Sequence, residues 1–477
     1  MHHKNLWLPI QKCLEPIAKI QIKNITYSIV GGYNAGTFSY TLNTYEALRS
    51  QTVKGVWRWW LRALLASVIN DVKEIRNKEN EILGSTEYAS RYVLHVYNES
   101  QINKVQEESV QKYKILMKEK KLRCNVSEIF PKIKSSRSII PLPPRIILLL
   151  QLGNLSEISE KISGYNPGSL NSTIKVFKRA NSNSQVDKVA ISALLLSIIL
   201  GGFGAITKRG FGSFKIEKLE LNNMKEIEDI ILKTYNSKDI EEIKNNLNNL
   251  IKISIDYAKE YLNKISTINK IPEISSLCMD NIDNVKPFEF DVIKINTDIK
   301  DEKINNLYKI FNFDLSSTLM LTKIGYSKTK LLWKLHSGKD LTDKGFEYHT
   351  WVLGFPRSQE YDTKKLKCEK ISLEIHENSK KDYREVKSVI TGYDAGSNRR
   401  ASSITIKPLI KLKESEWIVL AYRFISKDWF PEIYHYSLSP PPKKGVCQYK
   451  LTKKVIYSQK ELVDKINKAY NRVLQIL

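Results

Sequence analysis

Cysteine is scarce in this chain, and its few copies lie far apart. Cys13, Cys124, Cys278, Cys368 and Cys447 show none of the paired spacings of a disulfide framework or a zinc knuckle. The thiols therefore read as isolated, buried side chains. Long apolar runs are missing too. The longest candidate, Val189 to Leu200, is shorter than the roughly 18–20 residues a membrane helix needs and leads into a glycine-rich stretch. No membrane partner is expected. The first residues, MHHKNLWLPIQKCLEP, lack the apolar core and small-residue cleavage site of a secretory signal, so a cytoplasmic protein is expected. The seven histidines are scattered with no metal-binding spacing, and no carboxylate cluster suits a two-metal nuclease. Neither metal nor cofactor is expected.

Acidic charge is in deficit. The chain carries 76 Lys and Arg against 51 Asp and Glu, a formal charge of +25. The first 220 residues hold 32 of the basic and 17 of the acidic residues, so the excess is stronger there. Such a balance favours an anionic partner, with nucleic acid the natural candidate, because each neutralised phosphate releases condensed counterions. Lysine-rich surfaces also arise without any such partner. At 477 residues and 42% hydrophobic content, the chain has room for two to four domains with real cores.

Residues 19–30 begin with strand-like alternation and lead into the glycine-rich loop Gly31 to Gly36. Val53 to about Ile82 reads as helix, Tyr88 to Tyr97 and Arg145 to Leu152 as strands, Val186 to Leu200 as an apolar helix, and Ser213 to Leu221 as a closing strand. This β-α-β-β-α-β order is the ferredoxin-like arrangement also used by RNA-recognition modules. Met224 to Ile271 is polar with helical apolar spacing, a connector or insertion. Beyond it, Phe288 to Ile295, Ser402 to Leu412 and Trp417 to Phe424 read as strands and Asp343 to Val352 as helix. Ser458 with Glu461 opens a terminal helix with a capping box.

Three segments could carry chemistry. In Gly55-Val56-Trp57-Arg58-Trp59-Trp60-Leu61-Arg62, Arg58 and Arg62 share one helical face, while Trp57, Trp60, Leu61, Leu64 and Leu65 cover the opposite one. Lys54 and Gly55 sit at the helix start, where free N–H groups favour an anion. The pattern fits a cationic line for phosphate, and equally a core helix with solvated arginines. In Gly201 to Ser213, five glycines would let a ligand approach the backbone, with charge from Lys208 and Arg209 and rings from Phe203 and Phe211; a tight helix-to-strand connection would look the same. Arg399-Arg400, and Arg357 after Pro356, could clamp phosphate or be ordinary surface. A lone catalytic histidine would be His349 or His95.

Together these segments resemble the RAMP superfamily of CRISPR-associated proteins, in particular the first, head-end subunits of type III-B (Cmr) effector complexes. The family's glycine followed by an Arg-Trp-Trp helix corresponds to Lys54 to Arg62, and its Leu-(Phe)-Gly-Ser element to Leu83-Gly84-Ser85. Its glycine-rich loop corresponds to Gly201 to Ser213. Its second-domain elements correspond to Leu353-Gly354-Phe355-Pro356 and Arg399-Arg400-Ala401-Ser402.

The resemblance implies an α+β fold of two ferredoxin-like (RRM-like) domains, residues 1–221 and 285–477, joined by a helical insertion at 222–284. It implies a non-catalytic RNA-binding subunit in antiviral defence, with guide RNA (crRNA), target RNA and other Cmr subunits as partners. The subunit would sit where the 3′ part of the guide pairs with its target. Lys54, Arg58, Arg62, Lys208, Arg209, Arg357, Arg399 and Arg400 would then contact phosphates, and Tyr33, Phe203 or Phe211 would stack on bases. A metal-independent guide-processing endoribonuclease and a scaffold with incidental RNA contact are the alternatives.

Overall fold

The computed structural model describes residues 15–30, 38–39, 44–45, 47–100, 123–125, 139–141, 165–296, 354–362, 370–375, 382–394 and 400–477. Positions 27, 166, 180–182, 205–206, 209, 356, 386–387, 414–415, 430–431 and 444–445 are the exceptions. The chain divides into two compact units, Met1–Thr322 with Thr405–Tyr422, and Lys323–Ile404 with Arg423–Leu477. This is not the expected division at 221/222 and 284/285. The helical insertion belongs to the first unit, and so do the strands Phe288–Asn296 (β5) and nearly all of Ile404–Lys411 (β6) and Glu416–Phe424 (β7), which form one three-stranded sheet in the order β6-β7-β5. Strand pairing across a hundred residues decides unit membership here, and composition gives no sign of it.

The first unit is built on a four-stranded antiparallel sheet. Alternation along Ala18–Asn24 (β1) becomes a strand that is buried and part-exposed in strict turn. It lies between Leu170–Lys178 (β3) and Phe214–Leu221 (β4), with Tyr92–Ser100 (β2) beyond β3, giving the order β2-β3-β1-β4.

The expected helix over Val53 to Ile82 is two helices, Ser50–Leu65 (α1) and Val72–Leu83 (α2). Asp71 makes the break. Its carboxylate accepts from the backbone N–H groups of Lys73 and Glu74, an N-cap that starts a new helix. Upstream, Ser67 and Val68 donate to Leu64 and Leu65, tightening the end of α1 into a 3₁₀-like turn.

Ser184–Leu196 (α3), capped by Asn183, continues through a π-helical turn, Ser197–Gly201. Ser184–Gly201 has mean hydropathy 1.5 over 18 residues, so it is longer and more apolar than the sequence reading allowed. It is buried almost all round, against α1 and Ile240–Leu262 (α5), as the core helix of a globular unit is. Lys225–Asn236 (α4) and α5 carry the amphipathic spacing expected of the insertion, burying Ile227, Ile231, Ile243, Leu247, Leu250 and Ile251.

In the second unit, six strands follow the order Arg357–Asp362, Ser388–Asp394, Glu432–Lys443, Val446–Ile456, Lys370–Ile375, Asp382–Glu385. Among them the pair Lys370–Ile375 with Val446–Ile456 is parallel. Gln459–Ile476 (α6) closes the chain, and its capping box forms as expected: Ser458 Oγ accepts from the Glu461 N–H, and the Glu461 carboxylate accepts from the Ser458 N–H. The fold is thus mixed α and β, with mainly antiparallel sheets. The expected strand at Arg145 to Leu152 and helix at Asp343 to Val352 lie outside the described residues.

Candidate nucleic-acid interface

Helix α1 is the hub on which two other sequence segments converge. Its inner face buries Val53, Trp57, Trp60, Leu61, Leu64 and Leu65, as the periodicity predicts. The Trp57 indole N–H donates to the Ala190 carbonyl at 2.7 Å, tying α1 to α3 and satisfying the one polar atom that burial would strand.

The first convergence is with the Leu83-Gly84-Ser85 element. Arg58 donates to the Gly84 carbonyl at 2.7 Å and to Asn80 Oδ1 at 3.1 Å. Its Nε lies 2.5 Å from Glu79 Oε1, and Arg62 Nε lies 3.6 Å from the other oxygen of the same carboxylate. Glu79 is almost wholly buried. Gly84 ends α2 at φ +80°, and a Cβ there would stand 2.6 Å from the Ser90 backbone nitrogen, so glycine is required. Arg58 thus stabilises the carbonyl end of α2, where a cation is favoured. The arginine face is therefore not a free cationic line: Arg58 and Arg62 share one buried carboxylate.

The second convergence is with the glycine-rich loop. Trp60 packs so closely on Gly201 that a Cβ there would come within 2.6 Å of the indole nitrogen. Lys208 Nζ lies over the Trp59 ring, 5.7 Å from its centroid, and Trp59 meets Trp60 edge-on at 5.0 Å. Phe203 and Phe211 correct the expectation of base-stacking rings. They are 0% and 2% exposed, and Phe203 packs edge-on against Phe214 at 5.5 Å. The loop glycines serve the chain's own crossing. Gly202 (φ +130°) and Gly212 (φ +58°) hold strands of the loop in contact, with the Phe203 N–H donating to the Gly212 carbonyl at 3.0 Å.

Lys54 and Lys208 remain part-exposed. The pKa of Lys54 is lowered from the ordinary lysine value, first by partial burial and then by repulsion from Arg58 and Arg179. Arg179, just past the end of β3, is the cation that the sequence reading missed; no local pattern places it near residue 54. The start of α1 lacks a side-chain cap hydrogen bond and an acidic residue in its first turn, leaving a positive helix end one turn before Lys54.

Gly55 differs from the loop glycines. It sits inside α1 with nothing within 4 Å of a built Cβ. Such a glycine costs roughly 1 kcal/mol relative to alanine and no packing requires it. Gly55→Ala is expected to raise stability by about 1 kcal/mol in denaturant titrations.

Tyr33, Arg209 and Arg399 lie outside the described residues, as does His349. In the second unit, Arg357 opens a strand and Arg400 lies in a two-residue strand, where Phe355 pairs with Arg400 and Gly354 with Ala401. The two second-domain elements noted in the sequence are therefore strand partners. His95 projects among rings, near-parallel to Tyr97 at 6.2 Å and edge-on to Phe177 at 5.5 Å, with no carboxylate partner among the described residues. No group of three or more His, Cys, Asp or Glu side chains among the described residues could hold a metal ion.

Comparison with known proteins follows the same segments. The RAMP superfamily model matches residues 22–215, from β1 to the start of β4. CRISPR system Cmr subunit Cmr1-1 of Pyrococcus furiosus is 29% identical over 247 residues, 51% of this chain and 60% of that protein, so the match spans less than two thirds of its length. Subunit Cmr1-2 of the same organism is 25% identical over 36% of this chain and 83% of that protein. A chain from the cryo-EM structure of the type III-B Cmr-beta complex bound to cognate target RNA aligns over 96% of this chain and 100% of its own, at 17% identity and TM-score 0.46. The segment that carries α1, α2, α3 and the glycine-rich loop is thus the part of the chain that is similar to the RAMP superfamily.

Proposed function

We propose that this protein is a non-catalytic, cytoplasmic RNA-binding subunit of a type III-B CRISPR (Cmr) effector complex. It would hold guide RNA and target RNA beside other Cmr subunits in antiviral defence. The likeness to the Cmr1 subunits supports the complex. The first unit's strand order, with the fourth strand beside the first and the third between first and second, supports a ferredoxin-like domain there; a second such domain is inferred for the remainder.

One observation carries the RNA reading. Two separated sequence segments lock onto α1, one through the Arg58–Gly84 contact and one through the Trp60–Gly201 and Trp59–Lys208 contacts, and they leave Lys54 near Arg179 on a helix with no acidic residue in its first turn, with Lys208 further along the same helix over Trp59. Such a site reads backbone charge and shape, which suits a protein whose guide carries the sequence information.

Lys54 and Lys208 test this better than Arg58 and Arg62, whose loss would also strand the Glu79 carboxylate. Lys54→Ala with Lys208→Ala is expected to weaken RNA binding similarly across sequences. It should reduce the dependence of log affinity on log salt by about two, one for each phosphate contact, with folding unchanged. Unaltered affinity and slope in fluorescence anisotropy across a salt series would remove this site from RNA contact.

A further inference from the structure

The four-stranded sheet has a second face. Alternation along β1 and β3 buries Ala18, Ile20, Ile22, Leu170, Ile174 and Val176, so the residues between them stand on the side away from that core. Register sets them in rows. Lys19 is opposite Lys175, which is opposite His95 on β2; Gln21 is opposite Thr173, which is opposite Tyr97; Phe177 is opposite Val93. On the other side of β1, Gln21 is opposite Lys218 and Lys23 is opposite Lys215.

This face gathers rings at one edge and ammonium groups at the other. His95 and Tyr97 are near-parallel, with 18° between planes, and Phe177 meets His95 edge-on. Lys175 Nζ stands 5.1 Å from the Tyr97 ring centroid. Tyr97 is 52% exposed, one of four large hydrophobic side chains left so open among the described residues. Lys19 is held by Glu220 at 2.8 Å, whereas Lys23, Lys215 and Lys218 have no carboxylate partner among the described residues. A single exposed tyrosine is ordinary on a surface, but here it is grouped with two further rings and a lysine. Rings flanked by lysines are what an unpaired nucleotide uses, its base on a π-face and its phosphate on a cation. A duplex, whose bases are already stacked inside, offers the rings nothing.

We propose that this sheet face binds an unpaired stretch of single-stranded RNA, with bases on His95, Tyr97 and Phe177 and phosphates toward Lys23, Lys215 and Lys218. The proposal rests on the RNA-binding reading and adds to it a surface separate from the α1 site, with a preference for unpaired RNA.

The full-length chain is tested against a 4-thiouridine-containing oligouridine and a blunt RNA duplex of equal length. The single strand is expected to crosslink to β2 or β3. His95→Ala with Tyr97→Ala should weaken its binding about tenfold or more while duplex binding stays unchanged. Lys23→Glu with Lys215→Glu gives the same readout should the ring variant fail to fold by circular dichroism. Unchanged single-strand affinity in these variants, alongside a loss in Lys54→Ala with Lys208→Ala, overturns the sheet-face site and leaves the RNA reading standing. No binding by the wild-type chain overturns both. Loss of a neighbouring subunit from the assembled complex, with RNA affinity intact, makes the face a protein interface and also overturns the proposal.

Discussion

Lys407→Met is expected to stabilise the first unit by about 2 kcal/mol near pH 6 and to lose that advantage as the pH rises toward 10. Lys407 lies on β6 with its side chain wholly buried, and its ammonium donates to the Ile198 carbonyl in the π-helical turn. No carboxylate accompanies it among the described residues, and the neighbouring Tyr422 hydroxyl donates to the Leu200 carbonyl at 2.7 Å. Burial pushes the Lys407 pKa down from 10.5 to about 7.

The direction follows from proton counts. Between about pH 7 and pH 10.5 the unfolded chain keeps a proton at this position that the folded chain has released, so stability climbs with pH across that window. Below about pH 7 both states are protonated and the full cost of the buried charge is present, on the order of 4 kcal/mol. Methionine fills similar volume without the charge. It leaves the Ile198 carbonyl without its donor, a loss of about 1–3 kcal/mol, which sets the smaller net gain. Denaturant titrations at pH 6, 8 and 10 check this, and a pH-independent difference would mean that Lys407 is not the titrating group.

The features the sequence announced are those set by local chemistry. Alternation gave β1, apolar spacing gave the buried face of α1, and Ser458 with Glu461 gave the start of α6. What stayed hidden depends on chain segments meeting. Glu79 looks like one more solvated charge in VKEIRNKENEIL, and only the return of α2 against α1 puts its carboxylate between Arg58 and Arg62. Arg179 reaches Lys54 only because β3 ends beside α1. Phe203 and Phe211 had the composition of stacking rings, but glycines that let a ligand approach and glycines that let the chain cross itself cannot be told apart by spacing. Asp71 is by contrast a local signal, an N-cap preceding Glu74 that divides the apolar helical spacing of residues 53–82 into two helices.

That ambiguity about the loop gives the other large effect. Gly212→Ala is expected to destabilise the first unit by about 3–5 kcal/mol. At φ +58° an L-residue costs about 1–2 kcal/mol in backbone strain. A Cβ at this position would overlap the Phe203 carbonyl oxygen, backbone that cannot step aside as a flexible side chain would. Relief requires parting the crossing, which breaks the hydrogen bond from the Phe203 N–H to the Gly212 carbonyl, worth about 1 kcal/mol, and shifts the buried Phe203 ring off Phe214. Lys208 lies within the same loop, so its position over Trp59 loosens as well. Gly55→Ala, in a helix with open space, should move stability the opposite way. Opposite signs at two glycines of one chain, measured by urea titration, separate a glycine required by the fold from one that packing does not require; a Gly212→Ala protein within about 1 kcal/mol of wild type would show instead that the loop relaxes.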